Sequence, residues 1–434
     1  MKNLLRLGVA ACVCVAVSGV FARPPNYDES KVGPYSLEDP LTFADGRKLK
    51  DVSEWPARRQ EILEIFAKEM YGQPPPPPEA VVTETVDEKV SCAGYAIRKQ
   101  FKMWFKKDKT GPCINWILFR PRFAKAPVPV VEFLNYRGNH ELTTDKDVPV
   151  MQGWSRSGKM TDGNRAIEKT RGVMTDPNSA TYLPLNSILA RGYAVLSACY
   201  CEISPDTEVR RGDKEEFAYT GVFDLWPKRD SSRDDNITSL GAWAWAFSRG
   251  VDYIETDPAL DAKRIVATGC SRLAKTPLLA CARDPRIAVC APVQTGGGGC
   301  PLAKRDYGEN VSTEMVSFPH WYCKAYGKYV DNEQAMKFDQ HLLLASIAPR
   351  ALLVLGFDSG WFDTKGEYLA VKAASPAWTF LGKKGMPDRP FPDDFCTSCI
   401  GPDLGYVRRS EEHGISAYDW QWMLDFADGV FARH

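Results

Sequence analysis

The sequence has no charge of one sign to spare. Lys plus Arg and Asp plus Glu number 55 each in 434 residues, so there is no bulk field to draw nucleic acid or an acidic surface. Internal repeats and low-complexity tails are absent, which argues against a repeat array or a disordered appendage. Cys396-x-x-Cys399 has no second CxxC and no HxxxH to complete a metal site, so a structural role or simple burial suits these thiols, and no metal or cofactor is implied. The apolar run near the start, in MKNLLRLGVAACVCVAVSGVFA, is short of the ~20 residues of a membrane span. With Lys2 and Arg6 before it and a small-residue site at Ala22 after it, residues 1–22 read as a signal peptide. The expectation is a secreted or periplasmic protein with no membrane partner after cleavage. The stretch Val9-Ala10-Ala11-Cys12 has the look of a lipoprotein box, but the apolar run continues past it.

What is present suits a large core: 44% hydrophobic and 11% aromatic residues, enough for one domain over 23–434, expected to act as a monomer. DVSEWPARRQEILEIFAKEMY, Asp51 to Tyr71, predicts an amphipathic helix with Ser53 as cap, Pro56 in its first turn and Ile62, Ile65, Phe66 and Met70 on one face. The prolines from Pro74 to Pro78 end it in an extended spacer. Apolar, β-branched runs follow at Val128–Leu134, Tyr193–Ala198, Ile265–Thr268, Ile287–Val293 and Ala351–Leu355. Helical patterns at Leu240–Ile254, Lys275–Arg283 and Gly366–Ala374 alternate with them. The alternation predicts an α/β fold, a doubly wound and mostly parallel sheet with helices on both faces.

Chemistry in such a sheet collects at the carboxyl ends of its strands. VATGCSRLAKTPLLA, Val266 to Ala280, puts a small-residue turn around Ser271 between a strand and a helix. That is a variant of the nucleophile elbow, with Leu273 where G-x-S-x-G has its second glycine. A plain helix-capping serine is the competing reading. A serine needs a base, and the elbow fold orders its triad serine, acid, histidine along the chain. There are only five histidines, and after the late strand Ala351–Leu355 only His413 and the terminal His434 remain. His413, in the polar loop RRSEEHGISAYDW, is the candidate base.

GCSRLAK looks like the G-C/H-S-R-x-G-K signature of the glucuronoyl esterases, carbohydrate esterase family 15 of the α/β-hydrolase superfamily. The likeness extends through VVEFLNYRGNH, GYAVLSACYCEISPD, KRDYGEN, FDQHLLLASIAPR, GWFDTKGEYLA and the His413 loop. It implies a three-layer αβα sandwich and hydrolysis of the ester between (4-O-methyl-)glucuronic acid of glucuronoxylan and a lignin alcohol. It implies Ser271 as nucleophile, His413 as base, and Arg272 assisting the oxyanion-hole amides with a guanidinium that stays charged. Lys275, Glu309 and Trp361 match positions that contact the glucuronoyl ring.

The chain departs from the family where the triad acid belongs. Gln294, in APVQTGGGGC, stands at one family position and Ser359 at the other. Asp358, three residues past a strand end, is then the expected acid, and Asp363 the cap of the helix beginning near Lys365. Gln294 can hold an imidazole by a hydrogen bond, without the stabilisation an anion gives. Ala274, in place of the family's glycine, shifts helix packing slightly. Cys270 invites two readings, a disulfide to Cys396 or Cys399 that braces the elbow, or a buried free thiol. The polar segment Glu141–Pro184 is long for a structureless connection and reads as an insertion forming one wall of the cleft. Beside the glucuronoyl esterase stand two alternatives: an acetyl or other sugar-ester esterase of the same fold, and a carbohydrate-binding homologue with impaired catalysis.

Overall fold

The computed structural model describes residues 22–154, 160–162, 169–207, 215–410 and 412–433; all but the last residue of the expected signal peptide lies outside them. Eleven strands and nine helices order the described chain. The strands are β1 (Val82–Ser91), β2 (Ala96–Trp104), β3 (Cys113–Pro121), β4 (Val128–Asn135), β5 (Gln152–Trp154), β6 (Met160–Asp162), β7 (Ala194–Cys199), β8 (Leu260–Cys270), β9 (Val289–Val293), β10 (Ala351–Phe357) and β11 (Leu404–Arg409). The helices are α1 (Trp55–Glu69), α2 (Leu185–Ala190), α3 (Tyr200–Ile203), α4 (Ser239–Thr256), α5 (Arg272–Arg283), α6 (Val311–Ser317), α7 (Gln340–Ala345), α8 (Thr364–Phe380) and α9 (Ala417–Phe431).

Nine strands form one sheet in the order β1-β2-β3-β7-β4-β8-β9-β10-β11. The pairings β1–β2, β2–β3 and β3–β7 are antiparallel, and every neighbour from β7 to β11 is parallel. All eight residues of β4 are buried, as a strand covered on both faces requires. Side-chain alternation splits it between two cores: Val130 and Leu134 join one with α1, α4, α5, α7 and α8, while Val131 and Phe133 join the other with α2 and α9. The α/β arrangement with helices on both faces is as expected. The strands β1, β2, β3 and β11 are additions to what the hydrophobic runs suggested.

One local expectation is corrected. Ser53 does not cap α1; it lies in a 3₁₀ turn, Val52–Glu54, capped by Asp51, whose carboxylate accepts from the Ser53 amide at 2.9 Å. The segment Glu141–Pro184 carries the β5–β6 hairpin, and of its residues, 155–159 and 163–168 lie outside the described residues.

Candidate active site

β8 runs into α5 through Ser271, whose backbone is left-handed at φ 60°, ψ −132°. A Cβ on Gly269 would stand 1.9 Å from the Leu273 carbonyl oxygen, so the turn closes only over glycine at that position. Leu273, in the other small-residue position, is fully buried in the core and leaves the turn unobstructed. The elbow is tied to its neighbours: the Ser271 amide donates to Val293 O at 3.0 Å, and the Tyr136 hydroxyl donates to Cys270 O at 2.6 Å. Ser271 makes no side-chain cap bond to α5, which removes the reading that needs it only as a cap. Positive φ on a non-glycine residue stores strain, and here it holds a hydroxyl at the amino end of a helix. Cys270, buried beneath the elbow, is a free thiol raised by burial, and Cys396 and Cys399 are free as well.

His413 comes to the site from the far side of β11. Its Nδ1 lies 2.6 Å from Gln294 Oε1, and the same oxygen accepts from the Gly414 amide at 2.9 Å. An amide N–H can only donate, so Gly414 fixes which end of the Gln294 carboxamide faces the loop. Nδ1 of His413 is therefore the donor and carries the proton, which leaves Nε2 the basic nitrogen. Gln294 is itself fully buried, at φ 54° in the turn after β9. The ring stacks on Phe362 at 4.6 Å. Gly414 admits no side chain, because a Cβ would sit 2.3 Å from Ala180 O. Behind the loop, Arg409 donates to Gly414 O at 2.7 Å and pairs with buried Asp419 at 2.7 Å.

Asp358 does not take the acid's place. Its carboxylate pairs with Arg408 at 3.0 Å and is half exposed, while the amide of Gln294 meets the imidazole instead. The reason is the backbone: the turn at Gln294 aims its side chain across β10 toward the His413 loop, a direction that residue spacing does not reveal. Asp363 caps α8 as expected, accepting from the Gly366 amide at 3.0 Å, and also pairs with Arg305 at 2.9 Å.

Arg272 opens α5 and is buried, its guanidinium 4.8 Å from the Trp321 ring and 5.3 Å from Phe318. Its Nη1 donates to Asp206 Oδ2 at 2.6 Å. Burial alone would raise the Asp206 carboxyl, but the Arg272 charge, then His320 and Trp321, hold it well below the usual carboxylate range. Asp206, His320 and Trp321 carry no motif that marks them in the sequence, and the only signal for Asp206 is its place in the family-like stretch GYAVLSACYCEISPD.

Lys275, one turn into α5, reaches Glu309 at 3.3 Å and lies 4.9 Å from the Trp321 ring. The Glu309 amide donates to Trp361 O at 2.8 Å, so the three residues expected at one ring are neighbours. Gly296 lies between this group and the Phe362 that stacks on His413: a Cβ there would approach Glu309 Oε2 at 2.6 Å and Phe362 at 3.2 Å. The N-terminal segment straps the outside of the same loops. Asn26 O accepts from the Gly308 amide at 2.8 Å, Arg23 pairs with Asp306 at 2.5 Å, and Glu29 pairs with both Arg305 and Lys365.

Burial favours the neutral form of one carboxyl next to the Gln294 turn. Burial pushes Glu367 up to about 8, against hydrogen bonds from the hydroxyl and amide of Thr295. Between about pH 4.5 and 8 the unfolded chain binds fewer protons at this group than the folded one, so its contribution to stability falls as pH rises. Glu367→Gln is expected to melt close to the parent at pH 5 and several degrees above it at pH 8, as followed by circular dichroism.

The family model described as glucuronyl esterase, fungi, matches residues 189–382. The carbohydrate esterase MZ0003, from an unknown prokaryotic organism, is 34% identical over 419 residues, covering 94% of this chain and 93% of that protein. A solved glucuronoyl esterase from Solibacter usitatus is 33% identical with a TM-score of 0.84, over 93% of this chain and 100% of its own. The 4-O-methyl-glucuronoyl methylesterase of Podospora anserina is 28% identical over 80% of this chain and 60% of its own length.

Proposed function

Since the chain belongs to carbohydrate esterase family 15, the glucuronoyl esterases, and is a carboxylic ester hydrolase with the α/β-hydrolase fold, we propose that it is an exported serine esterase cleaving glucuronate esters of glucuronoxylan and lignin alcohols. The observation that supports this is a strained Ser271 whose amide donates to Val293 O, one residue before the Gln294 that holds His413, with the Lys275–Glu309–Trp361 group on the same helix and loops. Residues 23–434 act as one catalytic domain and as a monomer, without a metal or cofactor.

The steps follow from the groups. His413 Nε2 takes the Ser271 proton as Oγ attacks the ester carbonyl, and the oxyanion develops against the Arg272 amide and guanidinium. The imidazolium returns its proton to the leaving alcohol, giving a glucuronoyl ester on Ser271. Water, deprotonated by the same nitrogen, then releases glucuronate. Lys275 and Glu309 offer a donor and an acceptor to ring hydroxyls, and the Trp361 indole offers an apolar face with an N–H.

Benzyl glucuronate and an acetylated xyloside distinguish the readings. The expected outcome is turnover of the glucuronate ester in preference, and a Lys275→Met variant whose KM rises about 10- to 100-fold with a smaller change in kcat, the loss of one charged hydrogen bond to the sugar. Preference for the acetyl ester would move the assignment to that substrate. Binding of glucuronoxylan fragments with no turnover of either ester would make the protein a catalytically impaired homologue, the reading that Gln294 in the acid's place favours.

A further inference from the structure

Asp206 follows α3 in a turn held by buried hydrogen bonds, Ser204 Oγ to Ala218 O at 2.5 Å and Trp243 Nε1 to Ser204 O at 3.0 Å. Its carboxylate is 1% exposed and accepts from four side chains. Tyr200 (2.9 Å) and Arg272 (2.6 Å) meet Oδ2, and His320 Nε2 and Trp321 Nε1 meet Oδ1, both at 2.9 Å. On its other side the Arg272 guanidinium lies over Phe318 and Trp321, which stack at 3.9 Å and 8°. The arginine is thus fixed along one edge by an anion and across one face by aromatic rings. Among the described residues, Asp206 is its hydrogen-bond partner, and its other nitrogens take none.

We propose that Asp206 is a positioning residue for Arg272, holding the guanidinium beside Ser271 where the acyl oxyanion develops. The proposal rests on the esterase reading above. A lone buried guanidinium would be costly and would seek the nearest water or carbonyl. An anion shared among four donors supplies the counter-charge while spending only part of its field on the arginine, so positive potential remains for the transition state. The planar fork makes the pairing directional, which a lysine ammonium would not.

The test is a double-mutant cycle read by a fluorophosphonate probe. Ser271 Oγ attacks phosphorus, the P–O bond forms, fluoride leaves with the P–F pair, and the hydroxyl proton passes to His413. The phosphoryl oxygen carries the developing charge, so the labelling rate reports the oxyanion site without any assumption about the natural ester. Asp206→Asn and Arg272→Met are each expected to slow labelling about 10-fold or more, as loss of an oxyanion donor does. In the Arg272→Met background, Asp206→Asn is expected to cost less than about 3-fold, because the residue it acts through is gone. With benzyl glucuronate the same single variants lower kcat and leave KM within about 3-fold. Additive effects, unchanged labelling in Asp206→Asn, or no labelling of the parent at Ser271 would overturn the proposal. Labelling with the expected non-additivity but no glucuronate turnover would overturn the substrate reading alone. Should Asp206→Asn not melt cooperatively, Asp206→Glu, which keeps the charge and displaces it by one methylene, takes its place in the cycle.

Discussion

Ser271→Ala is expected to lower kcat on benzyl glucuronate by at least about 10⁴-fold while leaving the melting temperature nearly unchanged. In the proposed mechanism, removing Oγ deletes the atom that would form the covalent intermediate, and the remaining site offers only oxyanion stabilisation and binding to a water molecule. The fold is indifferent to the change for a reason visible at the turn. The Ser271 side chain caps nothing on α5, and alanine tolerates φ 60° no worse than serine does. Loss of stability together with activity would assign Ser271 a structural role; full activity would remove it from the chemistry. Purified protein, assayed under saturating substrate, gives the answer.

Gln294→Glu is expected to raise kcat near neutral pH by about 10- to 100-fold. Replacing a triad acid by its amide can cost about 10⁴ when the amide selects the wrong imidazole tautomer. Here the Gly414 amide presents Oε1 to Nδ1, so the tautomer is already correct, and what a carboxylate adds is stabilisation of the imidazolium. The sign of the pH effect follows. A carboxylate beside His413 favours its protonated form and raises its pKa, and the base acts only when neutral. The acid limb of the kcat profile is therefore expected to move to higher pH in Gln294→Glu, even as the plateau rises. Gln294→Leu, which orphans both Nδ1–H and the Gly414 N–H, is expected to be slower than the parent at every pH. An unmoved acid limb and an unchanged plateau in Gln294→Glu would show that the imidazole is not held at Gln294 during turnover.

The parts of this arrangement that could be read from the chain are those carried by neighbouring residues. Strands β4, β7, β8, β9 and β10 are buried on both faces, so they show as continuous apolar runs. Strand β1, VTETVDEKVS, lies at an edge with most of its residues exposed or half-buried, and its charges hide it. Ser271, Arg272 and Lys275 share one turn and the first turn of a helix, and their spacing displays them. Asp206 and His320 are 114 residues apart, and Asp206 and Arg272 are 66 apart; their meeting depends on how the sheet is ordered. The partner of His413 is hidden for the same reason. Asp358 has a carboxylate at the offset of an acid and Gln294 has only an amide, and only the backbone turn at Gln294 shows which side chain crosses to His413.

The N-terminal strap bears on the order in which the molecule is finished. Arg23 and Asp306 are 283 residues apart in sequence, and Arg23 and Glu333 are 310 apart. Contacts of such separation carry the largest loop-closure cost and accumulate late on a folding route. The elbow, by contrast, closes within a few residues of β8 and α5. The Ser271 elbow therefore rests on local structure and adjacent strands, whereas the loops around Asp306, Gly308 and Glu333 are tied down only when the beginning of the chain returns to its second half. On the proposed function, a protein caught before that docking would carry its serine elbow without the finished loops beside it.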